Sequence, residues 1–291
     1  MRSNPWSEKK GFDAMERVNK SCILCGGREW EPLVEQGEWR VFRCKGCGLG
    51  VLDPRPDKLE LGALYKTDYL EGLYGEGVQI DSPGIKKRLS QETHRIRFFR
   101  QLKKGGRLLD IGCGMGYFLA ACRNWGYDVE GMDISEDSTA YVRDYLKIPL
   151  AIGTVGEIDY PPGSFDIITM WHFLEHSPDP RQYLKKANTW LKPDGVLVVD
   201  VPNYTSTDAR AEWQQWLGWH LPFHLYHFTP KTLSGLLEKQ GFLVIRSKSY
   251  LSGYVKERLE RLLIPQPISR IIARFYSGHS YAVAAKKTAE G

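Results

Sequence analysis

Three groups of residues in this sequence have types and spacings that could do chemistry. In the first, two residues separate Cys22 from Cys25. Cys44 and Cys47 repeat that spacing after eighteen intervening residues, and a glycine follows each pair. Two such knuckles present four thiolates to one tetrahedral ion, so structural Zn2+ is expected. A redox dithiol would need only one pair, and disulfides belong to oxidising compartments. In the second group, Leu108-Leu109 leads into Asp110, then Gly112, Gly114 and Gly116. Glycines let a backbone approach a ligand closely and accept positive φ. The dinucleotide fingerprint wants G-x-G-x-x-G with an acid about 20 residues on. Here the spacing is G-x-G-x-G and an acid comes first, which suits a ligand carrying a cationic amine. The third group is histidine: five of the seven fall in WHFLEH (His172, Glu175, His176) and GWHLPFHLYHF (His220, His224, Tyr226, His227). Such groups can take a proton from a hydroxyl or a carbon acid. His220 and His224 are four apart, as metal ligands on a helix would be, but Pro222 between them argues against a helix.

Certain elements must hold these groups. A polar tail over 1–20 precedes the four-cysteine ribbon of 21–54, with extended pieces Trp30–Val34 and Trp39–Arg43 around Gly37. The ribbon is too small to be held by burial alone, so the metal is expected to stabilise it. Residues 55–105 read as connecting helices on the acceptor side: one starts after Pro56, a Tyr- and Gly-rich segment follows over 65–83, and a second helix spans 84–104. From 106 to 291 strands alternate with helices, which argues an α/β fold with a parallel sheet. The strands are Leu108–Ile111, Tyr127–Met132, Leu150–Ile152, Phe165–Met170, Val196–Val201, Phe242–Ser247 and Tyr281–Ala285. Residues 204–229 read as an irregular aromatic acceptor segment, and 254–275 as an amphipathic insert.

In open α/β sheets the ligand lies beyond the carboxyl ends of the strands. Asp133 ends the second strand, where an acid can accept ribose hydroxyls, and Ile134 beside it can cover an adenine face. The run LLDIGCGMG, VEGMDIS, GSFDIITMWHFLEH and LKPDGVLVVDVPN resembles the ordered motifs of class I S-adenosylmethionine-dependent methyltransferases. The resemblance spans roughly residues 106–203. It implies a Rossmann-like sheet of order 3-2-1-4-5-7-6 with strand 7 antiparallel, and S-adenosylmethionine as methyl donor. It also implies cofactor contacts from Asp110, Gly112, Cys113, Gly114, Gly116, Tyr117, Asp133, Ile134, Thr154 and Trp171. Of these, Cys113 also reads as a packing residue. One departure stands out: family members often carry an acid after the glycine that ends the third strand, and here Thr154-Val155 occupies that place. The base candidates are His176, His224, Glu175, His172 and Tyr226. The segment CKGCGLGVLDPRP is similar to that of bacterial methyltransferases with an N-terminal four-cysteine ribbon. It implies a small-molecule acceptor, sugar-linked or anionic, from a sugar, polysaccharide or antibiotic pathway.

The totals exclude some classes and leave others open. No run of 18 apolar residues exists, so no spanning helix is expected, and MRSNPWSEKKGF lacks a signal peptide's apolar core, so a cytoplasmic location is expected. The net charge of +5 is mild. RNA methylation is a weaker alternative, because Arg28, Arg40, Arg43 and Lys45 of the ribbon are offset by Glu29, Glu31, Glu35, Glu38 and Asp53 rather than forming a basic stripe. A non-catalytic cofactor-binding scaffold is the second alternative. Trp213, Trp216 and Trp219 either cap a substrate or pack a helix. The 254–275 stretch offers peripheral membrane contact, a cover for the active site or a dimer surface; oligomeric state is left open.

Overall fold

The computed structural model describes residues 20–56 and 83–288. The expected polar tail up to residue 19 and the helix and Tyr-rich segment expected between 59 and 82 lie outside the described residues. The ribbon consists of β1 (Trp30–Gln36), β2 (Trp39–Cys44) and β3 (Gly50–Leu52), antiparallel throughout. Helix α1 (Pro83–Arg100) follows. It ends earlier than residue 104 because Leu102 and Lys103 N–H both turn back onto Phe99 O.

The main domain alternates as its apolar periodicity predicts. Its elements are β4 (Arg107–Ile111), α2 (Tyr117–Asn124), β5 (Asp128–Asp133), α3 (Glu136–Tyr141), β6 (Leu150–Ile152), β7 (Phe165–Trp171), α4 (Pro180–Trp190) and β8 (Leu191–Pro202). After them come α5 (Thr207–Glu212), β9 (Tyr226–His227), α6 (Pro230–Lys239), β10 (Phe242–Leu251), α7 (Gly253–Arg261), α8 (Gln266–Ala273) and β11 (Ser277–Lys287). The seven-stranded sheet runs β10-β11-β8-β7-β4-β5-β6. β11 is antiparallel to both neighbours, while β8, β7, β4, β5 and β6 are mutually parallel. β7 is buried at every position, as expected of a strand covered on both faces.

β10 and β11 are longer than their apolar cores indicate. They pair from Phe242–Lys287 to Leu251–Ser277. β10 is the edge strand, so only alternate residues need be apolar, and Arg246 and Lys248 sit within it. The insert that follows is a pair of short helices; Ser252 caps the first by accepting from Val255 N–H at 3.0 Å.

Residues 204–229 are not irregular throughout. Ser206 caps α5, accepting from Ala209 N–H at 3.0 Å. β9 joins the ribbon, pairing His227 with Gly50 and Tyr226 with Val51. The ribbon sheet is therefore β1-β2-β3-β9, its fourth strand supplied by the main domain. Trp216 and Trp219 are buried with Val34, Val41, Tyr204 and Ala209, so they pack the ribbon to the domain, while Trp213 is exposed. Tyr204 OH donates to Gly48 O, Lys239 Nζ donates to Leu24 O at 2.6 Å, and Arg55 donates to Pro178 O at 3.1 Å. Among the described residues no helix is long and apolar enough to cross a membrane.

Candidate active site

The glycine turn lies between the carboxyl ends of β4 and β5. Gly112, Gly114 and Gly116 all have positive φ. A Cβ at Gly112 would collide with the Phe173 ring, and one at Gly116 would lie 2.8 Å from Val142 Cγ2, so neither position tolerates a side chain. Gly116 is the N-cap of α2 and carries no side chain, so the first helical N–H groups have no side-chain cap. Asp110 is buried and accepts from Thr169 Oγ1 at 2.6 Å. Burial lifts its carboxyl to about 7, against the pull of Thr169 and Arg95. Gly114 N–H donates to Asp133 Oδ2 at 2.8 Å and Ser135 N–H to Oδ1 at 3.0 Å. Ile134, next to Asp133, is 58% exposed. Tyr117 is buried beneath Arg88, at 5.6 Å.

Two of the expected cofactor contacts have buried, packed side chains. Cys113 is buried, and a Cβ on Gly131 would meet its Sγ at 2.7 Å, so its side chain fills the space beside β5. Trp171 is buried against Phe118, with Arg95 5.1 Å above its ring, and its indole N–H has no protein acceptor among the described residues. At the end of β6 the acid missing after Gly153 arrives three residues later. Glu157 Oε2 accepts from Thr154 N–H at 2.8 Å and from its hydroxyl at 2.9 Å. Sequence reading missed Glu157 because it sought the acid at a fixed offset; a short turn that folds back on the strand end was the available signal.

The segment after β7 carries the acid–base groups. His172 has φ of 51°, a left-handed conformation unusual outside glycine. Its Nδ1 lies 3.4 Å from Glu175 Oε1 and its Nε2 3.7 Å from Asp200 Oδ2. Burial opposes the charged imidazole, but the Asp200 and Glu175 carboxylates outweigh it and hold His172 above its ordinary pKa. Asp200 was missed by sequence reading. Its signal was an acid in the apolar run VLVVDVP, and it is buried, accepting from Tyr250 OH at 3.2 Å. Glu175 is fully buried, and neither carboxylate oxygen has a hydrogen-bond donor among the described residues.

His176 and His224 face one another with ring centroids 4.6 Å apart, and His220 lies 5.0 Å from His224. No helix joins His220 to His224, yet one turn closes through His224 N–H onto His220 O at 3.1 Å, putting both rings on one side. Burial lowers His176 to about 4 and His224 well below the usual imidazole range. Tyr226 is turned to the ribbon side, its ring 4.4 Å under Arg55 and its hydroxyl 3.4 Å from Pro178 O.

The four ribbon cysteines converge. Their sulfurs lie within 4.8 Å of one another, with Cys22–Cys47 and Cys25–Cys44 both at 3.5 Å. Tetrahedral zinc with bonds near 2.3 Å places its sulfurs about 3.7 Å apart, so the cage has the right size. Gly26 and Gly48, both at positive φ, close the knuckles by donating to Cys22 O and Cys44 O at 2.8 Å. Burial and the neighbouring thiols raise Cys22 and Cys47 above the usual thiol range, a cost that a bound cation removes.

The glycine turn, the strand-end acids Asp110 and Asp133 and one antiparallel strand in an otherwise parallel sheet together define a Rossmann-like α/β fold. Residues 84–247 match the model of the methyltransferase domain family, and the chain belongs to that family. Among curated relatives, 27-O-demethylrifamycin SV methyltransferase of Amycolatopsis mediterranei is 28% identical over 55% of this chain and 65% of its own. Ubiquinone biosynthesis O-methyltransferase of Idiomarina loihiensis is 36% identical over 34% of this chain and 43% of its own. The chain thus spans about half the length of the curated relatives it matches. The solved structure of Burkholderia thailandensis 1,6-didemethyltoxoflavin-N1-methyltransferase with bound 1,6-didemethyltoxoflavin and S-adenosylhomocysteine shares the fold. It covers 89% of this chain and 99% of its own, with a TM-score of 0.52 and 19% identity.

Proposed function

We propose that the protein transfers a methyl group from S-adenosylmethionine to a small-molecule acceptor, a sugar-linked or secondary-metabolite pathway intermediate. The observation that carries this reading is the arrangement of Asp110, the Gly112–Gly116 turn and Asp133 at adjoining strand ends. Asp110 would hold the cofactor's ammonium, Asp133 its ribose hydroxyls, and Ile134 with Glu157 the adenine. The O-methyltransferase activities of the rifamycin and ubiquinone relatives support a hydroxyl acceptor. The balance of acids and bases on the ribbon disfavours RNA. Four-cysteine zinc fits the ribbon, where its chemistry would be structural.

The sulfonium is already activated, so alignment and exclusion of water carry most of the acceleration. His172 is the base this reading favours: two carboxylates stabilise its protonated form, whereas burial leaves His176 and His224 poor proton acceptors. Calorimetry with S-adenosylmethionine, on wild type and Asp133→Ala, tests the reading; absence of binding by wild type would sink it. His172→Gln should then lower kcat by about 10²- to 10⁴-fold with little change in cofactor affinity.

A further inference from the structure

The three histidines beside Glu175 have no part in the chemistry above, yet they converge. One ring nitrogen from each of His176, His220 and His224 lies within 4.8 Å of the others. Two carbonyls set the tautomers. His176 Nδ1 is 3.0 Å from Phe223 O, and His224 Nδ1 is 2.9 Å from Gly218 O. A carbonyl can only accept, so both Nδ1 atoms carry the proton and Nε2 is left as each ring's acceptor nitrogen. Histidines that ligate metals are oriented in this way, the non-ligating nitrogen donating to a carbonyl or carboxylate.

A second observation is independent of the rings. The Glu175 carboxylate, fully buried and without a hydrogen-bond donor among the described residues, lies 4.0 Å from His224 Nε2. Its nearest ionisable neighbour is His172 Nδ1, 3.4 Å from Oε1; a buried carboxylate without hydrogen-bond donors is costly, and a further cation nearby would offset that cost. The segments are also fixed to each other: Leu225 N–H donates to Glu175 O at 2.8 Å. His220 is held at φ 39°, a strained conformation for a side-chain-bearing residue that aims its ring at the other two.

We propose that His176, His220 and His224 bind one divalent transition-metal ion, with Glu175 balancing its charge. Imidazoles select zinc, cobalt, nickel or copper over magnesium and calcium. Bonds of about 2.0–2.1 Å require nitrogens about 3.3 Å apart, so the rings must close by up to about 1.5 Å. His224 is buried, while His176 and His220 are partly exposed. Three protein ligands and an open position are the pattern of a site that takes a further ligand. That ligand would be an acceptor hydroxyl, which rests on the methyl-transfer reading, whereas the ion site does not.

The test counts metal in the full-length protein after equilibration with Co2+. Wild type should bind two equivalents, one on the cysteines with thiolate charge-transfer bands and one on the histidines with d–d bands only. His220→Ala and His176→Gln should each lose only the histidine equivalent; the retained thiolate spectrum reports that the variant is folded. One equivalent in wild type, or two that survive both substitutions, overturns the proposal. Calorimetry with S-adenosylmethionine on the same samples keeps the readings apart. No cofactor binding with two ions bound fails the methyltransferase reading alone, and cofactor binding with only the cysteine ion fails the histidine site alone.

Discussion

Thr169 Oγ1 donates to the Asp110 carboxylate at 2.6 Å across β7 and β4, with both side chains buried in the sheet's centre. The acid that would meet the cofactor's ammonium is thus held on a strand rather than a loop, and its desolvation is only partly offset. Arg95 of α1 favours its charge, while Glu92 of α1 and Asp133 of β5 oppose it.

Affinity for S-adenosylmethionine should therefore depend on pH near neutrality. The Asp110 carboxyl is raised to about 7 without ligand, so it is neutral at lower pH and pairs poorly with a cation. Affinity should rise as pH goes from 6 to 8, and calorimetry across that range should show the slope in wild type and not in Asp110→Asn. Stability runs the other way. The folded state holds a proton that the unfolded state has lost, so between the unfolded pKa and about 7 stability falls as pH rises, by at most about 1.4 kcal/mol per unit. Asp110→Asn should accordingly melt higher than wild type at pH 8 while losing most cofactor binding. Equal melting temperatures at pH 8 would contradict this account.

Glu157 should matter to the adenine end. Its Oε2 already orders Thr154 N–H and hydroxyl at the end of β6. Charged hydrogen bonds are worth about 1.5–3 kcal/mol, so Glu157→Ala should weaken S-adenosylmethionine roughly tenfold or more. Glu157→Gln, which keeps an acceptor oxygen, should recover part of the loss. A silent Glu157→Ala would leave Thr154 or a backbone oxygen as the partner.

Much of this was legible in sequence because the local chemistry is strict. The knuckle spacing and its glycines indicated a four-sulfur cage, and Asp110 before three glycines indicated the turn, since few residue types suit either geometry. The apolar runs placed the buried strands β4, β5 and β7 within a residue or two. What escaped was long-range or solvent-facing. Nothing local to Tyr226-His227 says that it pairs with Gly50-Val51, because two residues carry too little periodicity. The polar residues of β10 hid an edge strand's length. His220 and His224 looked separated by Pro222, but proline blocks a helix without preventing one closed turn. Asp200 stands out only once the packed sheet buries it beside His172.

Loss of the metal proposed for the four cysteines should loosen more than the ribbon. β3 pairs with β9, and Leu24, Leu49, Val51 and Leu52 share one core with Leu225, Tyr226, Phe228 and Leu236. Cys44→Ser, or a strong chelator, should lower the melting temperature and raise hydrogen exchange at residues 225–228 as well as at 40–52. Exchange confined to the ribbon would show that β9 is held by the main domain alone.

The α7–α8 pair should dock on anionic lipid. Leu263 is 91% exposed and Phe275 84%, with Leu262, Ile268 and Ile271 exposed near them. Lys256, Arg258, Arg261, Arg270 and Arg274 share these helices and the residue after them with the acids Glu257 and Glu260. Apolar groups ringed by cations suit a surface of anionic headgroups over hydrocarbon, where each basic side chain contributes about 1 kcal/mol near the membrane. The full-length protein should co-sediment with vesicles containing phosphatidylserine and much less with neutral ones. Salt should weaken the binding by screening the arginines, and Leu262→Ser with Leu263→Ser should weaken it at any salt by removing the inserted groups. Both substitutions lie in an exposed turn, so the melting temperature should move little, and a loss of sedimentation would be read as loss of contact rather than of fold. No pelleting with anionic vesicles at low salt would rule the membrane out and leave a protein surface as the partner of this face.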